Sequence, residues 1–350
     1  MTKLILEPLV SLDSVAGDWT RLAEASGNMF ATWEWTSLWW KHFGRGRTLL
    51  ATACRDDDGR IVAILPLYLS RERPLRIVRF LGHGQGDHLS PLCAPADREA
   101  VTTAFREALD RERFDLFVGD KMPAEGDWAT LLEGRMLRRT GSPVLRFEGK
   151  SWDEVLASRS SNLRQQVRRR ERKLAREHDL KFRFCGDPDR LAEDLGILFL
   201  LHLARWSDTG AWFSPAAEAF HREFAACALE RGWLRLWVLE LDGRPAAAWY
   251  GFRFGSAELY YQAGRDPQWE RGSVGFVLLA HSIRAAVEDG MSEYRFLEGS
   301  EDYKYRFASE DQGLETIAIP RGLRGRAAVE AATLLGRGGL FAALGRRVAG

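Results

Sequence analysis

Residues 234–254 read LRLWVLELDGRPAAAWYGFRF. Two apolar runs, Leu234–Leu241 and Pro245–Phe254, flank the tripeptide Asp242-Gly243-Arg244. An Asp-Gly pair between two strand-forming runs is a strong short-range signal of a β-hairpin, because both residues tolerate a positive φ. The sequence therefore predicts two antiparallel strands joined by a tight turn at residues 242–244.

The same pattern occurs in the first half of the chain. Strands predicted at 48–55 and 61–69 flank Asp57-Asp58-Gly59-Arg60, and Gly59 precedes Gly243 by 184 residues. In both halves a further strand, a Gly-containing loop, a helix and a final strand follow the hairpin. In the first half the strand, the helix and the final strand are predicted at 76–81, 97–111 and 114–118. In the second half they are predicted at 258–263, 274–289 and 294–297. This repeated order predicts an α/β (α+β) fold made of two copies of one unit.

Composition limits the class of protein. The 45% hydrophobic content suffices for real cores, and the net charge of +1 gives no argument for nucleic acid. No apolar run approaches the ~20 residues that a membrane-spanning helix needs. The four cysteines are far apart and form no C-x-x-C pair, which argues against a disulfide scaffold or a zinc ribbon. We expect a cytoplasmic protein that binds no DNA and for which RNA is not the expected partner.

Three segments follow from this organisation. We expect a first domain at 1–150, a second at 151–320 and a basic tail at 321–350. Near the join, residues 159–176 contain eight basic residues and one acidic residue, with Leu156, Leu163, Val167 and Leu174 on one helical stripe. Such a helix either exposes a solvated face or binds phosphates. The tail, rich in Arg, Gly and Ala, predicts a peripheral membrane contact.

The second half also contains a candidate anion-binding loop. Tyr260-Tyr261-Gln262-Ala263-Gly264-Arg265 ends a strand, and Arg271-Gly272-Ser273-Val274-Gly275-Phe276 opens the next helix. Small residues at a helix N-terminus let a diphosphate approach free backbone N–H groups, and the helix dipole favours the anion. An ordinary tightly packed loop would have the same glycines.

Two motifs resemble the GNAT superfamily of N-acyltransferases. Residues 271–275 resemble its R/Q-x-x-G-x-G/A diphosphate loop. The run Phe296-Leu297-Glu298-Gly299-Ser300-Glu301-Asp302-Tyr303-Lys304-Tyr305-Arg306 resembles the signature of the CelD-type acetyltransferase-like family. This chain differs from the CelD-type family at Val274, where the family has Pro. It differs from the GNAT motif at Phe276, where the motif has a small residue. The resemblance covers about residues 25–310 and implies two tandem GNAT-like domains of the Fem type, each with a mixed, mostly antiparallel sheet flanked by helices.

The resemblance also implies an activity and its residues. It implies an N- or O-acyltransferase that uses acetyl-CoA or another acyl-CoA, without a metal, on a sugar or a cell-envelope or exopolysaccharide precursor. The expected cofactor-binding residues are Tyr261, Gln262, Arg271, Gly272, Ser273, Val274 and Gly275. The expected catalytic residues are Glu298, which would be the general base, Glu301 and Asp302. The expected substrate-binding residues are Asp87, Tyr303 and Lys304.

Other readings remain open at this point. His83, Asp87 and His88 invite a metal site, but they lack a fourth ligand. His281 shares a polar helix face with Arg284 and Glu288, which predicts a solvent-facing imidazole. A Fem-like transferase would instead take its acyl group from aminoacyl-tRNA. A degenerate pair of domains would be a scaffold in polysaccharide biosynthesis.

Overall fold

The computed structural model describes residues 3–205 and 214–334. The α-helices are α1 Ala16–Ser26, α2 Trp33–Phe43, α3 Arg98–Asp110, α4 Trp128–Leu131, α5 Trp152–Ala157, α6 Ser161–Glu177, α7 Leu191–Arg205, α8 Pro215–Glu230, α9 Val274–Glu288, α10 Asp302–Phe307 and α11 Gly322–Leu334. Among the described helices, none has the length and apolar character needed to cross a membrane.

The strands form consecutive groups between these helices. They are β1 Ile5–Pro8, β2 Thr48–Leu49, β3 Thr52–Arg55, β4 Ile61–Leu65, β5 Leu67–Glu72, β6 Leu75–Phe80, β7 Leu92–Cys93, β8 Leu116–Pro123, β9 Arg135–Thr140, β10 Pro143–Arg146, β11 Leu180–Phe184, β12 Leu234–Leu241, β13 Arg244–Phe254, β14 Ala257–Arg265, β15 Glu293–Arg295, β16 Glu310–Asp311 and β17 Leu314–Pro320.

The chain divides into two compact units. The first contains Met1–Gly141, Gly210–Phe220 and Gln312–Gly350, and the second contains Ser142–Thr209 and His221–Asp311. Two strands lie outside the unit in which the sequence placed them. β10 pairs with β15 and β16 of the second unit, and β17 pairs with β8 and β9 of the first. Strand pairing across long sequence separations, which no local pattern shows, causes this difference.

The second unit is built on one seven-stranded sheet of order β11-β12-β13-β14-β15-β10-β16. The predicted β12–β13 hairpin is confirmed. Asp242 and Gly243 have φ values of 52° and 74°, so both residues occupy the left-handed region that a two-residue hairpin turn needs. Only the β14–β15 pair is parallel among the described strands of this sheet. The expected mixed, mostly antiparallel sheet is therefore confirmed.

Helices cover both faces of this sheet. Trp249 and Tyr260 point into a core that also contains buried residues of α6 and α9. Their neighbours Tyr250 and Tyr261 point to the opposite face, where both rings contact His221 of α8. α7 also packs closely on the sheet, because a Cβ on Gly264 of β14 would overlap the backbone of His202.

The first unit repeats the predicted order of elements. The single strand predicted at 48–55 is wrong, however, because it is two strands, β2 and β3, that the unit pairs in different sheets. Its strands form two sheets, β1-β3-β4-β7 and β2-β5-β6-β8-β17-β9, where the sequence predicted one. The single strand predicted at 61–69 is wrong: it is two strands, β4 and β5, separated at Pro66 and paired in different sheets. Proline has no N–H to donate, so the ladder is interrupted there. As in the second unit, only one described strand pair, β6–β8, is parallel.

The basic segment near the join forms α6. Ser160 caps this helix by accepting the N–H of Leu163, and Leu163, Val167 and Leu174 of the predicted apolar stripe are buried. Leu156 is buried too but belongs to α5, so the four residues do not share one helix. α5 precedes α6 along the chain, and its start carries a capping box of Ser151 and Glu154. α11 occupies the start of the predicted tail, and residues 335–350 lie outside the described part.

Candidate functional site

The two parallel strands of the second unit separate at the end of a short pairing. β14 pairs with β15 only through Ala257, Glu258 and Leu259, yet β14 continues to Arg265. After β15 the chain stays with its other neighbour, since the N–H of Phe296 donates to the carbonyl of Pro143 at 2.9 Å. The carboxyl ends of β14 and β15 therefore diverge, and ligands of α/β proteins commonly bind at such ends.

A β-bulge lies where β14 leaves β15. Tyr260 is opposite Gly251 and Gln262 is opposite Tyr250, so Tyr261 is an additional residue in β14. Gly251 fits this place because a Cβ there would overlap the carbonyl oxygen of Leu259. A bulge redirects the backbone N–H and C=O groups of its strand. No local sequence pattern predicts this bulge; a glycine opposite two tyrosines is its only signal.

The predicted glycine loop opens α9 as expected. Ser273 has a φ of 56° and starts the helix at Val274 without a side-chain cap. The first N–H groups of a helix have no acceptor within it, so those of Val274 and Gly275 can bind an external acceptor. A Cβ on Gly275 would contact only the Arg265 side chain, at 3.6 Å. The helix start thus presents bare backbone.

Two arginines flank the ring that follows this glycine. The guanidinium of Arg170, from α6, lies 4.7 Å from the Phe276 ring centroid, and that of Arg306, from α10, lies at 5.3 Å. Gln166 holds Arg306 by accepting a 2.8 Å hydrogen bond from its Nη2. Burial, followed by the charges of Arg306 and Arg169, lowers the pKa of Arg170. Like charges brought this close favour an anion between them. Neither Arg170 nor Arg306 was among the site residues predicted from the sequence.

The signature loop after β15 is held by a buried lysine. The Lys304 side chain is 5% exposed and donates from Nζ to the backbone carbonyl of Glu298 at 2.6 Å. The same ammonium lies 3.0 Å from the carboxylate of Glu301. Gly299, with a φ of 134°, allows this arrangement, since a Cβ there would overlap Glu301. The predicted substrate contact, Lys304, thus positions the loop that carries the predicted base, Glu298.

Two tyrosines connect this loop to β14. The rings of Tyr260 and Tyr303 are 6.4 Å apart and nearly perpendicular. Burial raises the pKa of the Tyr303 hydroxyl, and its hydrogen bond to Tyr260 raises it further. Burial also raises the pKa of Tyr260, which Arg205 counteracts. Both hydroxyls therefore keep their protons and are available as donors rather than as bases.

The structure brings most of the predicted site residues into one region of the second unit. One group lies at the end of β14 and the start of α9, and comprises Tyr261, Gln262, Gly272, Ser273, Val274 and Gly275. The other follows β15 and comprises Glu298, Glu301, Asp302, Tyr303 and Lys304. Glu298 is half-buried, whereas Glu301 and Asp302 are exposed. The side chain of Arg271 lies outside the described part. Asp87 belongs to the first unit, where it is buried and accepts a 2.7 Å hydrogen bond from Lys121.

The corresponding strand ends of the first unit are occupied by charged side chains. β6 pairs in parallel with β8 only at Ile77 and Val78. The next residue, Arg79, has a side chain that is 2% exposed and lies 3.3 Å from Glu72 and 3.8 Å from Asp120. Nδ1 of His83 is 3.0 Å from the same Asp120. The place that corresponds to the divergence of β14 and β15 is therefore filled.

His281 differs from its prediction, and the metal reading gains no support. The His281 ring stacks on Phe182 at 3.8 Å between centroids, and burial lowers its pKa to about 4. The expected solvent-facing imidazole is therefore wrong, because β11 covers this side of α9. Among the residues that the structure describes, no three His, Cys, Asp or Glu side chains form a metal-binding group.

Comparison with known families agrees with this geometry. Residues 161–305 match the family described as Acetyltransferase (GNAT) domain. The match begins at α6, ends within α10 and includes both the α9 start and the loop of Lys304. This part of the second unit is thus similar to a GNAT acetyltransferase domain, which supports an enzyme of the acyltransferase class. No curated protein matches the sequence of the chain closely enough to count as a relative.

Solved structures confirm the tandem fold. FemX aligns with a TM-score of 0.65 at 11% identity, covering 93% of this chain and 100% of its own. L-PGS from Bacillus licheniformis gives a TM-score of 0.55 at 12% identity, covering 86% and 94%. A tandem GNAT protein from the clavulanic acid biosynthesis pathway gives 0.51 at 14% identity, covering 92% and 99%. At these identities the similarity concerns the fold alone.

Proposed function

We propose that the second unit transfers an acyl group, acetyl first among the candidates, from acyl-CoA to an amine or hydroxyl. The observation that carries this proposal is the bare start of α9 at Gly275 beside the diverging end of β14. Backbone N–H groups at a helix N-terminus suit a diphosphate, and an extended chain suits the unpaired length of a strand. We propose one acyl-CoA per chain, because Arg79 and its partners fill the corresponding place in the first unit.

In this proposal each group of residues has one task. The N–H groups of Val274 and Gly275 bind the diphosphate, with Arg170 and Arg306 nearby and Arg271 as a further predicted contact. Backbone N–H groups at the Tyr261 bulge, including that of Gln262, polarise the thioester carbonyl. Glu298 takes the proton that the acceptor amine or hydroxyl loses as its bond to the acyl carbon forms and the carbon–sulfur bond breaks. The sulfur departs as a thiolate, which can accept a hydrogen bond from the Tyr303 hydroxyl.

The acceptor is proposed from the resemblance to the CelD-type family. It is a sugar or a cell-envelope or exopolysaccharide precursor, bound in the second unit near Tyr303 and Lys304, while Glu301 and Asp302 assist at the reacting end. The role predicted for Asp87, in the first unit, stays a separate prediction. The reaction would occur in the cytoplasm, and the four free thiols fit a reducing compartment. This part rests on family analogy and not on a contact seen in the site.

Calorimetric titration of acetyl-CoA into the full chain tests the donor site. We expect saturable binding with a stoichiometry near one. Gly275→Glu should abolish it, because a carboxylate would occupy the diphosphate position. Gly196→Glu in α7 is the matched control: it is also a helical glycine with space for a Cβ, and it should bind normally.

The other outcomes of this experiment have defined meanings. A folded wild-type chain that does not bind acetyl-CoA contradicts the proposal. Binding of aminoacyl-tRNA by such a chain would establish the Fem-like alternative, and binding of neither would favour a scaffold. Equal loss of binding in both glutamate variants would assign the effect to folding rather than to the helix start.

A further inference from the structure

The outward side of α6 carries a continuous group of cations. Five exposed side chains, which we call the cationic face, lie within about 12 Å along the helix, at a rise of about 1.5 Å per residue. They are Arg168, Arg169, Arg172, Lys173 and Arg176. Leu163, Val167 and Leu174 anchor the other side of α6 in the core. The packing of the helix therefore does not use the cationic face.

Nearby carboxylates neutralise only part of this charge. Asp153 lies 3.4 Å from Arg168, and Glu177 lies 3.2 Å from Arg176 and 3.9 Å from Lys173. Among the described residues, no acidic partner is present for Arg169 or Arg172. Five cations against two carboxylates leave a net charge of +3 on one side of one helix.

This arrangement is unfavourable for the helix itself. Residue pairs 168/172, 169/173 and 172/176 place like charges four positions apart, where each pair costs about 0.2–0.5 kcal/mol. A merely solvated face would be more stable with glutamates among the cations. A polyanion bound to the cationic face removes the repulsion, and so the charge pattern points to such a partner.

The shape and composition of the face favour a lipid surface over single-stranded RNA. Proteins that bind single-stranded nucleic acid combine cations with aromatic side chains on which bases stack. α6 contains no aromatic residue from Ser161 to Glu177. Its convex side can lie along a plane of negative headgroups, and clusters of four to eight Lys and Arg on an amphipathic helix are typical of anionic lipid binding.

We propose that the cationic face docks the protein on a membrane surface rich in anionic lipid, by charge and without insertion of apolar side chains. This contact is made by residues of the second unit, whereas the membrane contact predicted from the sequence was assigned to the tail. It does not depend on the use of acyl-CoA. Screening by salt should weaken it steeply, because it contains no apolar contribution.

Co-sedimentation of the full chain with vesicles tests the proposal. The wild type should sediment with phosphatidylglycerol–phosphatidylcholine vesicles and stay in solution with phosphatidylcholine alone. Arg169→Gln with Arg172→Gln should weaken partitioning about thirtyfold, from about 1 kcal/mol per basic residue. The matched control is Arg45→Gln with Arg113→Gln, which removes the same charge from exposed arginines of the first unit. It should partition like the wild type.

Three results would overturn the proposal. The first is equal sedimentation of the wild type with both vesicle types, and the second is equal weakening of partitioning in the two double variants. The third is tight binding to a transfer RNA pool that requires Arg169 and Arg172, in a protein that does not sediment with vesicles. Thermal unfolding of both double variants excludes misfolding as the cause. Relief of repulsion should leave the α6 variant at least as stable as the wild type.

Discussion

The ammonium of Lys304 donates to the backbone carbonyl of Glu298 across six residues, at 2.6 Å. With Glu301 as its second partner, this buried cation closes the loop that follows β15. The loop therefore has a fixed conformation around the predicted base. A cation that binds backbone in this way fixes geometry even when no ligand is present.

Lys304→Met should destabilise the fold and slow the reaction. Methionine keeps the aliphatic packing but leaves a carbonyl and a carboxylate without their donor, at a cost of about 1–3 kcal/mol. Urea unfolding measures this loss, and acetyl-CoA titration should show a smaller change in affinity than in turnover. Lys181→Met, which removes an exposed ammonium 2.7 Å from Asp179, should change stability by under about 1 kcal/mol. Equal losses in the two variants would contradict this role of Lys304.

Gly299→Ala should be much more harmful than Gly255→Ala. Both glycines have a positive φ, but the 57° of Gly255 lies in the left-handed region that other residues can enter, whereas the 134° of Gly299 lies outside it. A Cβ on Gly299 would also displace the carboxylate of Glu301 and the buried ammonium of Lys304. Gly255→Ala should cost about 1 kcal/mol from backbone strain alone. Gly299→Ala should exceed that by at least about 1 kcal/mol. Urea denaturation of the pair is the measurement, and identical midpoints would show that the loop adapts.

Arg170 and Arg306 should contribute to acyl-CoA affinity. Replacing either by Gln removes a cation beside the α9 start and should weaken acetyl-CoA binding several-fold, with a shallower dependence on salt. Arg284→Gln is the control, because Arg284 lies further along α9 and pairs with Glu288 at 2.7 Å. Unchanged affinity and salt dependence in both Arg170→Gln and Arg306→Gln would remove the two arginines from the donor site.

His281 should make the fold sensitive to acid. Its pKa is about 4 in the folded chain and 6.5 ordinarily, so unfolding binds a proton between these values. The stability it contributes is present above pH 6.5 and is lost as pH falls toward 4. His281→Phe keeps the stack on Phe182 but has no group to protonate. Between neutral pH and about pH 4.5 it should therefore lose roughly 2 kcal/mol less of its free energy of unfolding than the wild type loses. Urea titrations at both pH values measure this difference, and parallel pH profiles would contradict it.

Arg79→Met should destabilise the first unit without affecting the donor site. Removing a buried arginine leaves Glu72 and Asp120 without their cation, at a cost of about 3–5 kcal/mol. Arg76→Met, at a partly exposed pair 3.4 Å from Asp115, should cost far less. Acetyl-CoA affinity per folded chain should stay at the wild-type value in both variants. A large loss of affinity in Arg79→Met alone would mean that the first unit takes part in donor binding.

Local chemistry was enough to predict much of the fold and part of the candidate site. The turn at Asp242-Gly243 needs two residues that accept a positive φ, and the start of α9 at Val274 follows from small residues before an apolar helix. Both signals act over a few residues and are therefore visible in the sequence. Patterns of this kind predicted the repeated order of elements, whereas the mostly antiparallel sheets were expected from the family resemblance.

Tertiary structure decided what depends on distant partners. Nothing near Tyr261 shows that one residue of β14 is unpaired, because the bulge exists only in register with Gly251 of β13. Likewise β10 pairs with β15 and β16, and β17 pairs with β8 and β9, although these partners are mostly far away in the sequence. Arg170 and Arg306 meet at Phe276 only after α6 and α10 pack against α9. The sequence by itself determined the elements and the glycine loop, whereas packing determined which charges surround that loop, since contact energies between distant segments have no local pattern.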